Sequence, residues 1–137
     1  MNAVIDTNVL VSGMISGAGA AGRIVDLLRS GRLTVVADDR LLGEYIDVLG
    51  RRRFARYFSP GDRGNMVDFL RHESYLVAGE TVIRRLPHAG DASFLEAALA
   101  AGAPLVTFNK RHFPRRLCRA CEVLSPEEFL RKYFGRR

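Results

Sequence analysis

A chain of 137 residues is long enough for one domain with a real hydrophobic core, needing no disulfide or structural metal to staple it. Its 47% apolar and 26% charged residues are ordinary for a globular protein, and no stretch has the length and apolarity of a membrane span. The formal charge of +6 admits a polyanionic partner, although a solvated basic face explains it equally well.

Ala3-Val4-Ile5 is a short apolar run ending in Asp6-Thr7-Asn8, read as a buried strand followed by a polar turn. The stretch from Val9 to Ala21 is apolar and small. Asp6 and Asn8 interrupt its approach and no basic residue precedes Arg23, so it does not read as a signal peptide, and a cytoplasmic protein is expected. Gly17 to Gly19 form a flexible connection. From Ala20, Ile24, Val25, Leu27 and Leu28 recur at helical spacing until Gly31 stops them. Leu33 to Val36 is a second strand, closed by Ala37-Asp38-Asp39. A helix through Leu41, Leu42, Tyr45, Ile46 and Leu49 then presents one apolar face, as core or as a homodimer surface.

After Gly50 comes a basic block, Arg51-Arg52-Arg53, with Arg56 close behind. Ser59-Pro60 predicts an N-cap and first helical residue for a helix carrying Met66, Val67, Phe69 and Leu70. Val82 and Ile83 suit a third strand, Pro87 to Gly90 a turn, and Asp91 leads into an alanine-rich helix that Gly102 ends. Pro104 to Thr107 is a fourth strand and Cys121 to Leu124 a fifth. Ser125-Pro126-Glu127-Glu128 is a capping box opening the last helix. Strands alternate with helices and no hairpin signal intervenes. The prediction is therefore an α/β domain over residues 1–137, with a mainly parallel sheet between two helical layers.

In such a sheet, ligands bind outside the carboxyl ends of the strands. Asp6 ends strand one, Glu44 lies on the helix after strand two, Asp91 starts the helix after strand three, and Asn109 follows strand four. Acids gathered at one edge repel unless a cation neutralises them. An oxygen-only set suits Mg²⁺ or Mn²⁺, and no His/Cys cluster competes for a softer metal. Cys118 and Cys121, with His88 and His112 isolated, read as reduced structural thiols ahead of a zinc or redox site.

These segments resemble the motifs of the PIN-domain family. V-I-D-T-N-V-L-V-S is similar to its first motif, L-L-G-E-Y-I-D-V-L to its second, and G-D-A-S-F-L-E-A-A-L-A-A-G-A-P-L-V-T-F-N-K-R-H-F to its third and fourth. The likeness extends to the closing L-S-P-E-E-F-L and resembles the VapC-like toxin components of toxin–antitoxin pairs. The resemblance implies a three-layer α/β/α fold and divalent-metal hydrolysis of RNA phosphodiesters. Asp6, Glu44 and Asp91 would be metal ligands, Asn109 a fourth catalytic position, and Asn8 and Thr107 supporting residues. An antitoxin and a second copy of the chain would be partners. Asn109 departs from the fourth acid that many members carry, and no aspartate follows Asp91. Phe108, in place of the usual glycine, would crowd the site.

Each residue has a plainer reading. Asp6 would only begin a turn, Glu44 sit exposed like Asp47, Asp91 cap its helix, and Asn109 cap the turn to Lys110. Glu96 reads as a helix-surface charge. Lys110, Arg111, Arg115 and Arg116, just beyond the proposed site, are favoured over Arg51, Arg52, Arg53 and Arg56 for RNA contact. Phe113 would pack in the core ahead of stacking on a base. A haloacid-dehalogenase-like phosphotransferase would want an acid where Asn8 stands, and a receiver-like domain would want an acidic pair ahead of Asp6. The remaining rival is a non-catalytic PIN-like domain that binds RNA or protein.

Overall fold

Strand β1 (Asn2–Ile5) buries Ala3, Val4 and Ile5 completely. Successive strand residues face opposite sides, so burial of all three requires cover on both faces of the sheet. The computed structural model describes residues 1–78, 92–114 and 120–135, and supplies that cover. From β1 the chain runs through α1 (Thr7–Ile15), α2 (Ala20–Arg29), β2 (Thr34–Ala37), α3 (Asp39–Leu49) and a 3-10 turn, Arg52–Phe54. It continues through α4 (Pro60–Glu73), β3 (Tyr75–Leu76), α5 (Ala92–Ala101), β4 (Leu105–Val106), a second 3-10 turn, Lys110–His112, then β5 (Val123–Leu124) and α6 (Pro126–Phe134).

The described strands form a parallel sheet in the order β3-β2-β1-β4-β5. Helix α2 packs against α1 and α6, and α3 against α4 and α5; the two sets meet where α1 touches α3. The expected three-layer α/β/α architecture is therefore present. The chain leaves β1 for β2 on one side and returns to β4 on the other, so the strand order reverses between β1 and β4. That reversal opens a crevice at the strands' carboxyl ends.

Local chemistry explains most boundaries. Gly31 and Gly102 adopt φ of 81° and 62° just past α2 and α5, a left-handed conformation that costs glycine little. Ser59 with Asp62, and Ser125 with Glu128, form reciprocal capping boxes with proline in the first turn. On α3, Leu41, Tyr45 and Leu49 are fully buried, each contributing roughly 1.5–3 kcal/mol by leaving water. The face expected to be apolar is thus core at these three positions.

Two expectations are corrected and one strand is added. Asp6-Thr7-Asn8 is no free-standing turn: Asp6 is the N-cap and α1 begins at once with Thr7. That helix buries Val9, Leu10 and Val11 and so lacks a polar stripe that would mark it. Its Gly13 is a contact point, since a Cβ there would meet the Ala21 carbonyl oxygen of α2 at 2.3 Å. Strand β3 lies at Tyr75–Leu76, unanticipated because both side chains are about half exposed at the sheet edge; Val82 and Ile83 lie outside the described residues. Glu96 is no surface charge but 4% exposed, because Arg40 of α3 pairs with it at 2.7 Å. Among the described residues no helix is long and apolar enough to cross a membrane.

Candidate active site

The crevice between β1 and β4 is built from backbone outward. The Asp6 N–H donates to the Val106 carbonyl at 2.9 Å, tying the end of β1 to β4, and the Asp6 carbonyl accepts from Val9 and Leu10 of α1. Its side chain makes no capping bond to the helix it precedes. Instead its Oδ2 accepts from the Thr107 hydroxyl at 2.7 Å. Thr107 Oγ1 accepts in turn from the Asn109 N–H at 3.0 Å. Asp6 is 7% exposed and Thr107 wholly buried, so a hydrogen-bonded chain fixes this carboxylate at the rim of the core.

Helix α3 brings the second acid. The Thr7 hydroxyl donates to Glu44 Oε2, so the residue after Asp6 holds an acid contributed by a separate helix. Beside Glu44, the buried Tyr45 hydroxyl donates to the Ile5 carbonyl, anchoring α3 to the end of β1. Burial first, then the negative charge of Asp6 and Glu44, pushes the Tyr45 hydroxyl well above the usual phenol range. It remains a neutral donor at all physiological pH.

Asp6, Thr7, Asn8, Glu44, Asn109 and His112 line one cleft of about 240 Å³, with Val48, Arg51 and Arg53 completing its wall. Four anticipated residues, Asp6, Asn8, Glu44 and Asn109, therefore meet, and Thr107 stands behind Asp6. Asp91, the third anticipated acid, lies outside the described residues, as do Arg115, Arg116 and Cys118. Phe108, expected to crowd the site, is 47% exposed and does not line the cleft. Phe113 is 3% exposed, as its core reading required. Lys110 pairs with Glu128 of α6 at 2.8 Å, and Arg111 is exposed.

The cleft contains residues that sequence reasoning ranked low or missed. From sequence alone Arg51 and Arg53 rank behind the cluster at Lys110, and His112 reads as an isolated histidine. The turn after α3, which returns Arg51 and Arg53 toward Glu44, gave no sequence signal beyond its charge. A separate cluster sits at the start of α3: Asp38 caps the helix by accepting from the Leu41 N–H at 3.0 Å and accepts from Arg40 at 2.7 Å, while Arg40 also pairs with Glu96 of α5. Those bonds, Asp38 first and Glu96 second, raise the Arg40 pKa.

The lining suits a small hard cation. Carboxylate and amide oxygens from Asp6, Glu44, Asn8 and Asn109 line the cleft, with His112 the one imidazole among its described lining residues. Among the described residues no three of His, Cys, Asp and Glu stand close enough to hold a metal. Asp6 and Glu44 are the described pair.

A family model for the PIN domain matches residues 2–111. The fold is similar to that of a chain in the crystal structure of VapBC2 from Rickettsia felis bound to a DNA fragment from their promoter. The TM-score is 0.61 at 15% sequence identity, over 91% of this chain and 98% of that one, a likeness of fold. No curated protein sequence matches the chain.

Proposed function

The chain belongs to the PIN-domain family, and on that premise we propose that it is a divalent-metal-dependent ribonuclease acting on RNA phosphodiester bonds. The observation that carries this reading is the meeting of Asp6 and Glu44 in one cleft, from separate elements, with asparagine amides beside them. Asp6, Glu44 and Asp91 would hold Mg²⁺ or Mn²⁺. When bound, such a cation supplies an activated water and neutralises charge developing at phosphorus.

The chain's own side chains prepare that chemistry. Thr107 fixes the rotation of the Asp6 carboxylate, and Thr7 fixes Glu44, so neither acid must reorganise during reaction. Asn8 and Asn109 offer neutral amides at the same cleft, steadying ligands without adding to the repulsion between carboxylates. Asn109 in place of a further acid leaves the centre less negative, which favours one tightly held cation, with a second arriving alongside substrate phosphate. Lys110, Arg111, Arg115 and Arg116 would attract the RNA backbone.

The biological reading is a cytoplasmic toxin of a toxin–antitoxin pair, a single PIN domain that forms a homodimer and is neutralised by an antitoxin protein. It is supported by the VapC-like motifs and by the VapBC2 fold likeness. A basic antitoxin segment would find a charge-assisted partner in the acidic cleft.

The test is incubation of the purified chain with single-stranded and structured RNA, with Mg²⁺, Mn²⁺ or a chelator, beside Asp6→Asn. Metal-dependent cleavage by the wild type alone is expected. Cleavage equal in both proteins, or absent from both, would leave the non-catalytic binding domain as the surviving reading.

A further inference from the structure

We propose that Arg51, Arg53 and Tyr57 form an entry track for a single RNA strand, with two guanidinium groups on its phosphates and the tyrosine ring under a base. The ribonuclease reading supplies the identity of the ligand, but the track is tested by binding alone. Arg51 and Arg53 line the same cleft as Asp6 and Glu44. An acidic floor beside a cationic wall is the charge pattern a bound phosphodiester requires, with phosphates held at the side and the scissile one over the acids.

The segment is built to hold those groups outward. Arg51 caps the 3-10 turn Arg52–Phe54. Phe58, 5% exposed, and the half-buried Phe54 anchor the segment to the core, their rings 6.1 Å apart. The Arg53 guanidinium lies 4.8 Å over the Phe54 ring, which limits its freedom before any ligand arrives. Arg51 is paired with Asp47 at 3.2 Å, but the two side chains are 48% and 71% exposed. Such a helical surface pair is weak and yields readily to a phosphate.

Tyr57 extends the track. It is 49% exposed, and the Arg56 guanidinium lies 5.2 Å over its ring, an arrangement on which an unpaired base can stack. Tyr57 lies four positions after Arg53, so the chain places them within about 14 Å, a reach of a few nucleotides. A duplex has its bases already stacked and offers none to Tyr57, which makes a single strand the fitting ligand.

The experiment is fluorescence anisotropy with a short labelled single-stranded RNA on the Asp6→Asn protein, across a range of salt. Arg51→Gln with Arg53→Gln is expected to weaken binding at least tenfold, and to flatten the log K against log salt slope by about 1.4, the share of two phosphates. Arg71→Gln, an exposed charge on α4, serves as the control for net charge and should have a much smaller effect. Tyr57→Leu should cost roughly tenfold while Tyr57→Phe binds like the parent, and Asp47→Asn should tighten binding by releasing Arg51. Duplex RNA of the same length should bind more weakly.

An unchanged slope in the double variant, an equal loss from Arg71→Gln, indifference to Tyr57→Leu, or duplex bound as tightly would each overturn the track. So would a chain that binds no RNA, the result expected if a protein occupies this face. RNA binding through the track by a wild type that never cleaves would retire the ribonuclease reading alone. Cleavage with unaltered binding in the variants would retire the track alone.

Discussion

Thr107 carries the site's geometry at the scale of single residues. Its buried hydroxyl donates to Asp6 and accepts from the Asn109 N–H, so one oxygen positions an acid and a turn together. Thr107→Val keeps the shape and removes both bonds; it is predicted to cost about 1–3 kcal/mol in urea unfolding and to lower cleavage at least tenfold, while Thr107→Ser keeps most of both. Glu128 gives a second prediction. The Lys110 ammonium, and after it the Ser125 N–H, hold its carboxyl down to about 2 from an ordinary 4.5. A depressed carboxylate contributes stability that is full above 4.5 and lost as pH falls toward 2. Lys110→Met should raise the Glu128 midpoint in an NMR titration without restoring 4.5, because the Ser125 bond remains. A midpoint that stayed at about 2 would show the capping bond alone to be responsible.

At the scale of elements, Arg40 joins α3 to α5 by bridging two buried carboxylates, Asp38 and Glu96. Its own side chain is 47% exposed, so solvent screens part of the attraction. Arg40→Met is predicted to destabilise the protein by about 1–2 kcal/mol, less than a fully buried pair would lose, measured by urea unfolding near neutral pH. An unchanged midpoint would mean that water already satisfies both acids. Elements with a local signal were legible in the sequence: caps at Ser59 and Ser125, stops at Gly31 and Gly102, and the apolar stripes of α2 and α3. Helix α1 was not, because its burial removed the stripe and its Gly13 serves close packing against α2. Glu96 was misjudged for a related reason, since its burial depends on an arginine from another helix.

At the scale of the molecule, the parallel sheet decides where chemistry can gather. The reversal of strand order beside β1 sets Asp6 against Thr107, and the α1–α3 contact adds Glu44. That Asp6 and Asn109 share one cleft was legible because strand ends in an α/β fold point to one edge, and Glu44 because its helix follows the neighbouring strand. Arg51, Arg53 and His112 were not, since only the folded turns bring them to that edge. Two acids from different elements meet in one cleft, and the proposed cation site depends on both. The most direct measurement is the rate of RNA cleavage against Mn²⁺ concentration for the wild type, Asp6→Asn and Glu44→Gln. The predicted result is a wild-type rate that rises and saturates with metal, with both variants inactive or needing at least tenfold more Mn²⁺. A rate indifferent to metal, or unaffected by either substitution, would contradict it.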